Sequence, residues 1–357
     1  MSLRISINAT RIEGPWGGGN RFVSYLDRFL TSRGHEVFRD LQPDLDLILL
    51  IGVQPELRVV SYSPAEAAEY VQRYPQAARV LRINNCDEAH GSDRGINRRM
   101  LAAAESVDHV VFPSGFSQDH FCGLGLSQDI PRSVIKTGVD ASIFKPAGPR
   151  VLADGEPMRL VTHHWSTHPM KGFDIYERLD SLIGSESQGG GYELTYIGPR
   201  AAGMRLPHSR WLEPMDGRAL AEEIGRHHAL VTGARYEAGG NHYIEAMSCG
   251  LPVLFLKSGA TPEYCQNHGL GFRPHEFESK LSEFRGQYAR YAAAVAGQDF
   301  TARSMAERYE QLFVEVVKAR RDRRFRQPGV VGRCRYRAVR VRRAVGRRLP
   351  KLKRKAR

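Results

Sequence analysis

Short apolar runs alternate with stretches of helical periodicity from one end of the chain to the other. "LRISINA" (3–9), "DLILLIG" (46–52), "VVSYS" (59–63), "ARVLRIN" (78–84) and "HVVFPS" (109–114) have the length and near-continuous apolarity of buried strands. After the first of them, Phe22, Tyr25, Leu26, Phe29 and Leu30 recur at helical spacing, and Gly34 supplies a stop. Ser63-Pro64-Ala65-Glu66 predicts a helix start, because serine can bond the third backbone N–H, glutamate can return the bond, and proline suits the first helical position. "KPAGPRVLADGEP" (145–157) has no period and interrupts the alternation. It resumes with the strand patterns "MRLVTHH" (158–164), "ELTYIG" (193–198), "HALVTGA" (228–234) and "PVLFL" (252–256). Segments 276–296 and 301–320 read as helices. Strands alternating with helices predict parallel sheets, so the pattern predicts an α/β protein of two Rossmann-like, doubly wound domains facing across a cleft. The expected limits are 1–150 and 151–300, then a helix over 301–325 able to pack back on the first domain, and a tail over 326–357. A length of 357 residues agrees, since single cores stop growing below that size.

Charge changes this picture in one place. The net charge of +13 suggests a nucleic-acid binder, but residues 318–357 hold 19 lysines and arginines against one acid, Asp322. Without that stretch, the 52 basic and 39 acidic residues become 33 and 38, so the folded body carries −5. The basicity is therefore local. In the tail, Cys334, Ala338, Val341, Val345 and Leu349 recur at helical spacing among arginines, which favours an anionic membrane surface over a solvated tail or an RNA-binding arm. Five scattered cysteines without a Cys-x-x-Cys pair fit free thiols in a reducing compartment, and the N-terminus has no apolar signal core. A cytoplasmic location, peripheral to a membrane, is the expectation.

Ligands of doubly wound proteins bind where loops leave the carboxyl ends of the strands. One such loop follows "HALVTGA": "EAGGNHYIEAMSCGLPV", residues 237–253. Gly250 and Pro252 end a short helix over 241–249, with Asn241 near its N-cap. Glu237 precedes that helix and Glu245 lies inside it, while Gly239 and Gly240 stand beside an N-terminus whose free N–H groups suit a phosphate. Two glutamates alone would be ordinary surface. Carboxylates on either side of an anion site suit a ligand with hydroxyls at both ends and phosphates in the middle. Asp44-Leu45-Asp46 imitates a metal-binding pair but opens a strand instead of ending one, so it reads as a solvated strand entry, and no metal site is expected.

With these residues on the page, the stretch resembles the signature of retaining glycosyltransferases of the GT-B fold, the large family 4 type. "GPWGGGNRFV" (14–23) is similar to that family's Gly-Gly loop, "VIKTGVDASIFKP" (134–146) to the end of its first domain, "HHWSTHPMKGFDIY" (163–176) to its Lys-Gly loop, and "SGATPEYC" (258–265) to its Gly-Gly-x-Pro-Glu loop. The resemblance spans about residues 3–315. It implies sugar transfer with retention from a nucleoside-diphosphate sugar, UDP- or GDP-linked, to a saccharide or lipid-linked acceptor, without a required metal or other cofactor, in surface polysaccharide or glycolipid assembly. By the same resemblance Glu245 would bind the ribose, Glu237 the transferred sugar and Lys171 the diphosphate, with Gly18 and Gly19 letting backbone approach the phosphates. The family's arginine before Lys-Gly is replaced by Trp165 or Ser166, so Arg235 or His164 covers the diphosphate or the geometry differs. Ala238-Gly239 replaces a Pro-Phe pair, and "RINNCDE" places Asn84 and Asn85, not a histidine, on the acceptor side. The rivals are a GT-B sugar-nucleotide epimerase and a nucleic-acid-binding protein acting through the tail.

Overall fold

The computed structural model describes residues 1–10, 18–54, 56–57, 59–148, 150–185, 191–295 and 300–322. Two six-stranded, wholly parallel sheets organise them. The first contains β1 (Arg4–Ile7), β2 (Glu36–Phe38), β3 (Leu47–Leu50), β4 (Ala78–Arg82), β5 (His109–Phe112) and β6 (Arg132–Val134), in the order β2-β1-β3-β4-β5-β6. The second contains β7 (Met158–His163), β8 (Tyr192–Ile197), β9 (Arg210–Leu212), β10 (Ala229–Thr232), β11 (Val253–Leu256) and β12 (Gly269–Phe272), in the order β12-β11-β10-β7-β8-β9. Helices α1 (Gly18–Ser32), α2 (Pro64–Arg73), α3 (Ile96–Ala104) and α4 (Gly115–Gly123) flank the first sheet. Helices α5 (Phe173–Ile183), α6 (Gly217–Ile224), α7 (Asn241–Ser248), α8 (Thr261–Cys265), α9 (Phe277–Gly286) and α10 (Tyr288–Val295) belong to the second, and α11 (Ala302–Arg321) follows. These are the two Rossmann-like α/β domains that the alternation predicts.

The central strands arise from the runs that predict them. Leu47–Leu50 and Ala229–Thr232 are buried at every position, because helices cover both faces of a parallel sheet. The capping box forms as expected: Glu66 N–H donates to Ser63 Oγ at 3.2 Å, and Ser63 N–H to Glu66 Oε2 at 2.8 Å.

Four strands and one break carry no such signal. β2, β6 and β9 are three-residue edges with half-exposed side chains, too short for a period to show. β12 opens on Gly269, where a Cβ would lie 1.9 Å from the Val253 carbonyl oxygen; the glycine that permits close pairing also weakens the strand pattern. "VVSYS" is not a strand. Val60 makes one antiparallel bridge with Ala9 and seats its side chain on Gly52, and the chain then enters α2. The 276–296 helix is broken between Gly286 and Tyr288. Asp46 is not a solvated strand entry either: its carboxylate accepts from Arg4 N–H at 2.8 Å and pairs with Arg321 at 2.5 Å.

The chain crosses between the domains twice, side by side. Val139 N–H donates to Phe300 C=O and Ala302 N–H returns a bond to Val139 C=O, at 2.9 and 2.7 Å. Gly138 makes this possible, since a Cβ there would sit 2.1 Å from Thr301 C=O. Beyond the crossing, α11 packs Met305, Tyr309, Phe313 and Val317 against Leu3, Ile5, Phe22 and Leu26 of the first domain. Arg320 completes the docking through a buried pair with Asp108 at 2.9 Å. Loops after strands of both sheets then meet at one cleft.

Candidate active site

In the second sheet the strand order reverses between β7 and β10, so the loops after these two strands stand at the switch point where α/β proteins bind ligands. The loop after β10 carries Glu237. Its backbone is pinned by the loop after β11: Gly259 adopts φ +61, and a Cβ there would meet Glu237 N at 2.6 Å. Tyr236 takes φ +53, unusual for a bulky residue, and its N–H donates to Ser258 Oγ. Thus "SGATPEYC" acts as the mould for Glu237. The loop after β7 ends in Pro169–Lys171, and Gly172, at φ +83, turns it into α5. A Cβ on Gly172 would lie 2.2 Å from Gly233 C=O, so only glycine brings the two loops together. Lys171 Nζ consequently donates to Glu237 Oε1.

Burial would raise the carboxyl of Glu237, but Lys171 outweighs it and holds the group below the usual carboxylate range. His90, from the first domain, stands edge-on to His168 with ring centroids 5.1 Å apart, and its charged form is opposed by burial and by nearby cations that include Lys171. His90 thus approaches the Lys171–Glu237 pair from across the cleft.

Glu245 lies one turn into α7, a helix whose residues from His242 to Ser248 are all buried. Ala246 and Cys249 let it sit close to the sheet. The carboxylate of Glu245 has no solvent exposure. It pairs through Oε1 with Nη1 of Arg21, which comes from the first turns of α1 in the other domain. Its Oε2 faces His163 Nε2 at 3.5 Å. Among the described residues, Glu245 Oε2, His163 Nε2 and Arg21 Nη2 are buried without a hydrogen bond, three unmet polar atoms at one place. Burial pushes the Glu245 carboxyl up, with Arg21 pulling against it, and burial keeps His163 neutral far below its ordinary range. Trp165 and Phe144 flank Arg21, with the guanidinium carbon 5.2 and 5.8 Å from the ring centres.

The other expected residues divide. Gly18 and Gly19 are in the first turn of α1, not in a loop, and a Cβ on Gly19 would meet nothing within 4 Å. Residues 14–17 of that stretch and the tail over 326–357 lie outside the described residues. Asn241 opens α7 beside its N-cap Gly240, as expected, but the Gly240 N–H already donates to Tyr243 Oη at 2.5 Å, so it is not open to a phosphate. Gly239 presses on the first domain: a Cβ would approach Pro113 and Thr137 at 3.1 and 3.3 Å. Neighbouring Ala238 C=O accepts from Ser114 Oγ at 2.5 Å, so Gly239 and Ala238 together make a domain contact.

Two candidate cations do not survive as such. His164 is buried, bonds Tyr176 Oη at 2.6 Å, and is held neutral by burial, so it cannot bring positive charge. Arg235 is committed to Asp174 by two bonds of 2.8 and 2.7 Å. Arg21, His163 and His90 escape the sequence. Nothing local in "GGGNRF" says that α1 will face a helix 224 residues away.

Asn84 and Asn85 follow β4 and line a cavity of about 330 Å³ with Gly19, Asn20, Ile51 and Gly52, at the switch point of the first sheet. Asn85 is tied to His90 Nε2 at 3.1 Å. Nearby, the ligand atoms of Cys86, Glu88 and His120 lie within 4.8 Å of one another, but Asn97 and His120 already bond Glu88.

No protein-family model matches the chain, and no curated protein sequence matches it. Solved structures do. The sucrose-phosphate synthase of Thermosynechococcus elongatus aligns at TM-score 0.64 and 17% identity, over 89% of this chain and 100% of that one. Anabaena HepE in complex with UDP and glucose aligns at 0.63 and 16%, over 87% and 99%. The catalytic domain of Arabidopsis thaliana starch synthase IV, bound to ADP and acarbose, aligns at 0.63 and 13%, over 89% and 100%. The chain therefore has the GT-B fold of these proteins.

Proposed function

We propose that the chain is a glycosyltransferase that moves a sugar from a nucleoside-diphosphate sugar to a saccharide or lipid-linked acceptor, with retention at the anomeric carbon and without a required metal. The observation that carries this reading is the pair Glu237 and Glu245 on one strand–loop–helix unit, each facing a basic side chain in the cleft between two GT-B domains. Glu245 accepts hydrogen bonds from a ribose diol, and Glu237 from hydroxyls of the sugar being transferred. Lys171 lies between them in role: it neutralises the diphosphate as it departs, when charge develops on the leaving oxygen. The bond from the anomeric carbon to the diphosphate breaks, the acceptor oxygen attacks from the same face, and the acceptor proton passes to the leaving diphosphate. UDP and ADP in the similar structures support a nucleotide ligand in this cleft.

Thermal-shift screening of UDP-, GDP- and ADP-sugars, followed by mass spectrometry and NMR of the product made with an acceptor, tests the reading. The expected result is protection by one donor and an axial or equatorial linkage matching that donor. Glu245→Ala should weaken donor binding, and Glu237→Ala should lower turnover more than stability. Donor conversion to an isomer without acceptor would establish epimerase chemistry instead, and protection by no donor would overturn the proposal.

The tail suits a membrane-proximal acceptor, as in surface polysaccharide or glycolipid assembly, and a cytoplasmic site of action. Among the described residues no helix is long and apolar enough to cross a membrane. Co-sedimentation of the full chain with phosphatidylglycerol vesicles, lost on deleting 326–357 and absent with phosphatidylcholine, is expected. Equal binding to RNA through the same residues would redirect the assignment.

A further inference from the structure

We infer that Arg21, carried by the first domain, is the second cation on the donor's diphosphate, exchanging its bond to Glu245 for the phosphates when the nucleotide enters. This rests on the reading of the cleft as a nucleotide-sugar site. Lys171 is one cation there; a diphosphate carries more charge than one lysine neutralises. On the second domain, His163, His164 and His242 are buried and neutral, and Arg235 is bound to Asp174.

The geometry supplies the rest. Arg21 is the fourth residue of α1 and Glu245 lies one turn into α7, so the guanidinium reaches from the first domain to the helix that follows β10. The first turn of α1, which carries Arg21, holds no acid that would compete for an anion there. Gly19, in the same turn, leaves open space where a side chain would stand. Glu245 and His163 keep unmet polar atoms beside Arg21. An arriving ribose diol satisfies Glu245, and the displaced guanidinium, still flanked by Trp165 and Phe144, is left with five donors in a fork that matches phosphate oxygens. The ion pair with Glu245 thus holds Arg21 at the site and keeps a buried carboxylate paired until the phosphates take its place.

Binding of a nucleoside and of its diphosphate, compared in wild type and in Arg21→Gln, tests this. The probes are uridine and UDP, adenosine and ADP, and guanosine and GDP, measured by calorimetry. Arg21→Gln should lose about tenfold to a hundredfold in the preference for diphosphate over nucleoside, the range of one charge-assisted contact. Nucleoside affinity itself should hold or rise, because Glu245 is released. Arg21→Lys should recover part of the preference, as a point charge without the fork. The double variant Arg21→Gln/Glu245→Gln removes the unpaired carboxylate if the single variant folds poorly, and should show the same lost preference. A preference unchanged in these variants overturns the inference and leaves the nucleotide reading intact. A wild-type chain that binds no nucleoside diphosphate overturns both.

Discussion

The two walls of the cleft come from sheets of the same architecture, yet they hold charge in opposite ways. The second domain buries its polar groups behind the site. His163, His164 and His242 sit between β7, β10 and α7, neutral and bonded or nearly bonded to Thr162, Tyr176, Thr232 and Glu245. Lys171 and Glu237 are fixed by loops that tolerate only glycine at Gly172 and Gly259. The first domain instead offers groups on helix ends and turns: Arg21, His90, Asn84. Its own cavity lies open beside Gly19. One wall is rigid, fixed by its own loops; the other is delivered by domain contact through Arg21–Glu245 and Ser114–Ala238. On the proposed function, the rigid wall supplies Lys171 to the departing diphosphate, and the delivered wall suits the acceptor, closure and a second cation.

Acid should separate the two domains most sharply. His242 and His227, both in the second domain, have pKa values lowered to about 4, by burial first, and burial also keeps His163 and His164 well below their ordinary range. Unfolded histidine titrates near 6.5, so between that value and 4 the unfolded state binds more protons than the folded one. Stability is fully present above pH 6.5 and is lost as pH falls toward 4, by roughly 3 kcal/mol for a histidine shifted this far. In the first domain only His109 is lowered to about 4. Hydrogen exchange followed from pH 7.5 to 4.5 should show peptides of β7 and β10 losing protection at higher pH than those of β1 and β3. Simultaneous loss in both sheets would dissolve the contrast.

Next in size is the chemistry. Lys171→Met should lower kcat by about 10²–10³, the usual cost of removing a group that meets developing negative charge, and should also lower Tm, because the Glu237 carboxylate loses its partner. Asn84→Ala, on the opposite wall, should raise the acceptor KM by less than about tenfold, as for one neutral hydrogen bond. If the asparagine change costs as much kcat as the lysine change, the division of labour between the walls is wrong.

Glycine substitutions sharpen the same contrast through stability. Gly172→Ala forces a Cβ into a left-handed turn and to within 2.2 Å of Gly233, so a loss above about 2 kcal/mol is expected in denaturant unfolding. Gly19→Ala meets nothing within 4 Å inside a helix and should gain roughly 0.5–1 kcal/mol. It should nevertheless weaken nucleotide binding if backbone approach at that turn matters.

The same asymmetry governs what the sequence discloses. Leu47–Leu50, Ala229–Thr232 and the helix over 241–248 are legible because buried strands and a Gly-Leu-Pro stop are local patterns. The placing of Glu237, Lys171 and Glu245 on loops and a helix beside one cleft is legible in the same way. Arg21 is not, because its contact with Glu245 exists only when α1 and α7 meet across the cleft. The neutrality of His164 is likewise invisible, since it depends on the burial created by Tyr176 and Thr162, and a histidine in a strand-to-loop position reads equally well as a cation. β12 hides behind its two glycines, which are there for β11 and not for the strand itself.

The smallest effect expected concerns which wall supplies the second cation. Arg235 and Asp174 form an ion pair in which the acid is more than half exposed. Screening limits such a pair, so Asp174→Asn should cost under about 1 kcal/mol by denaturant unfolding. The variant also frees Arg235 to turn into the cleft. With Arg21 already serving the diphosphate, the donor KM should then change by less than about twofold, within the range of an exposed pair. A fall of several-fold would return Arg235 to the diphosphate and move that task to the rigid wall. Measured beside Arg21→Gln, this weak substitution decides whether the first domain brings charge to the donor or only closes over it.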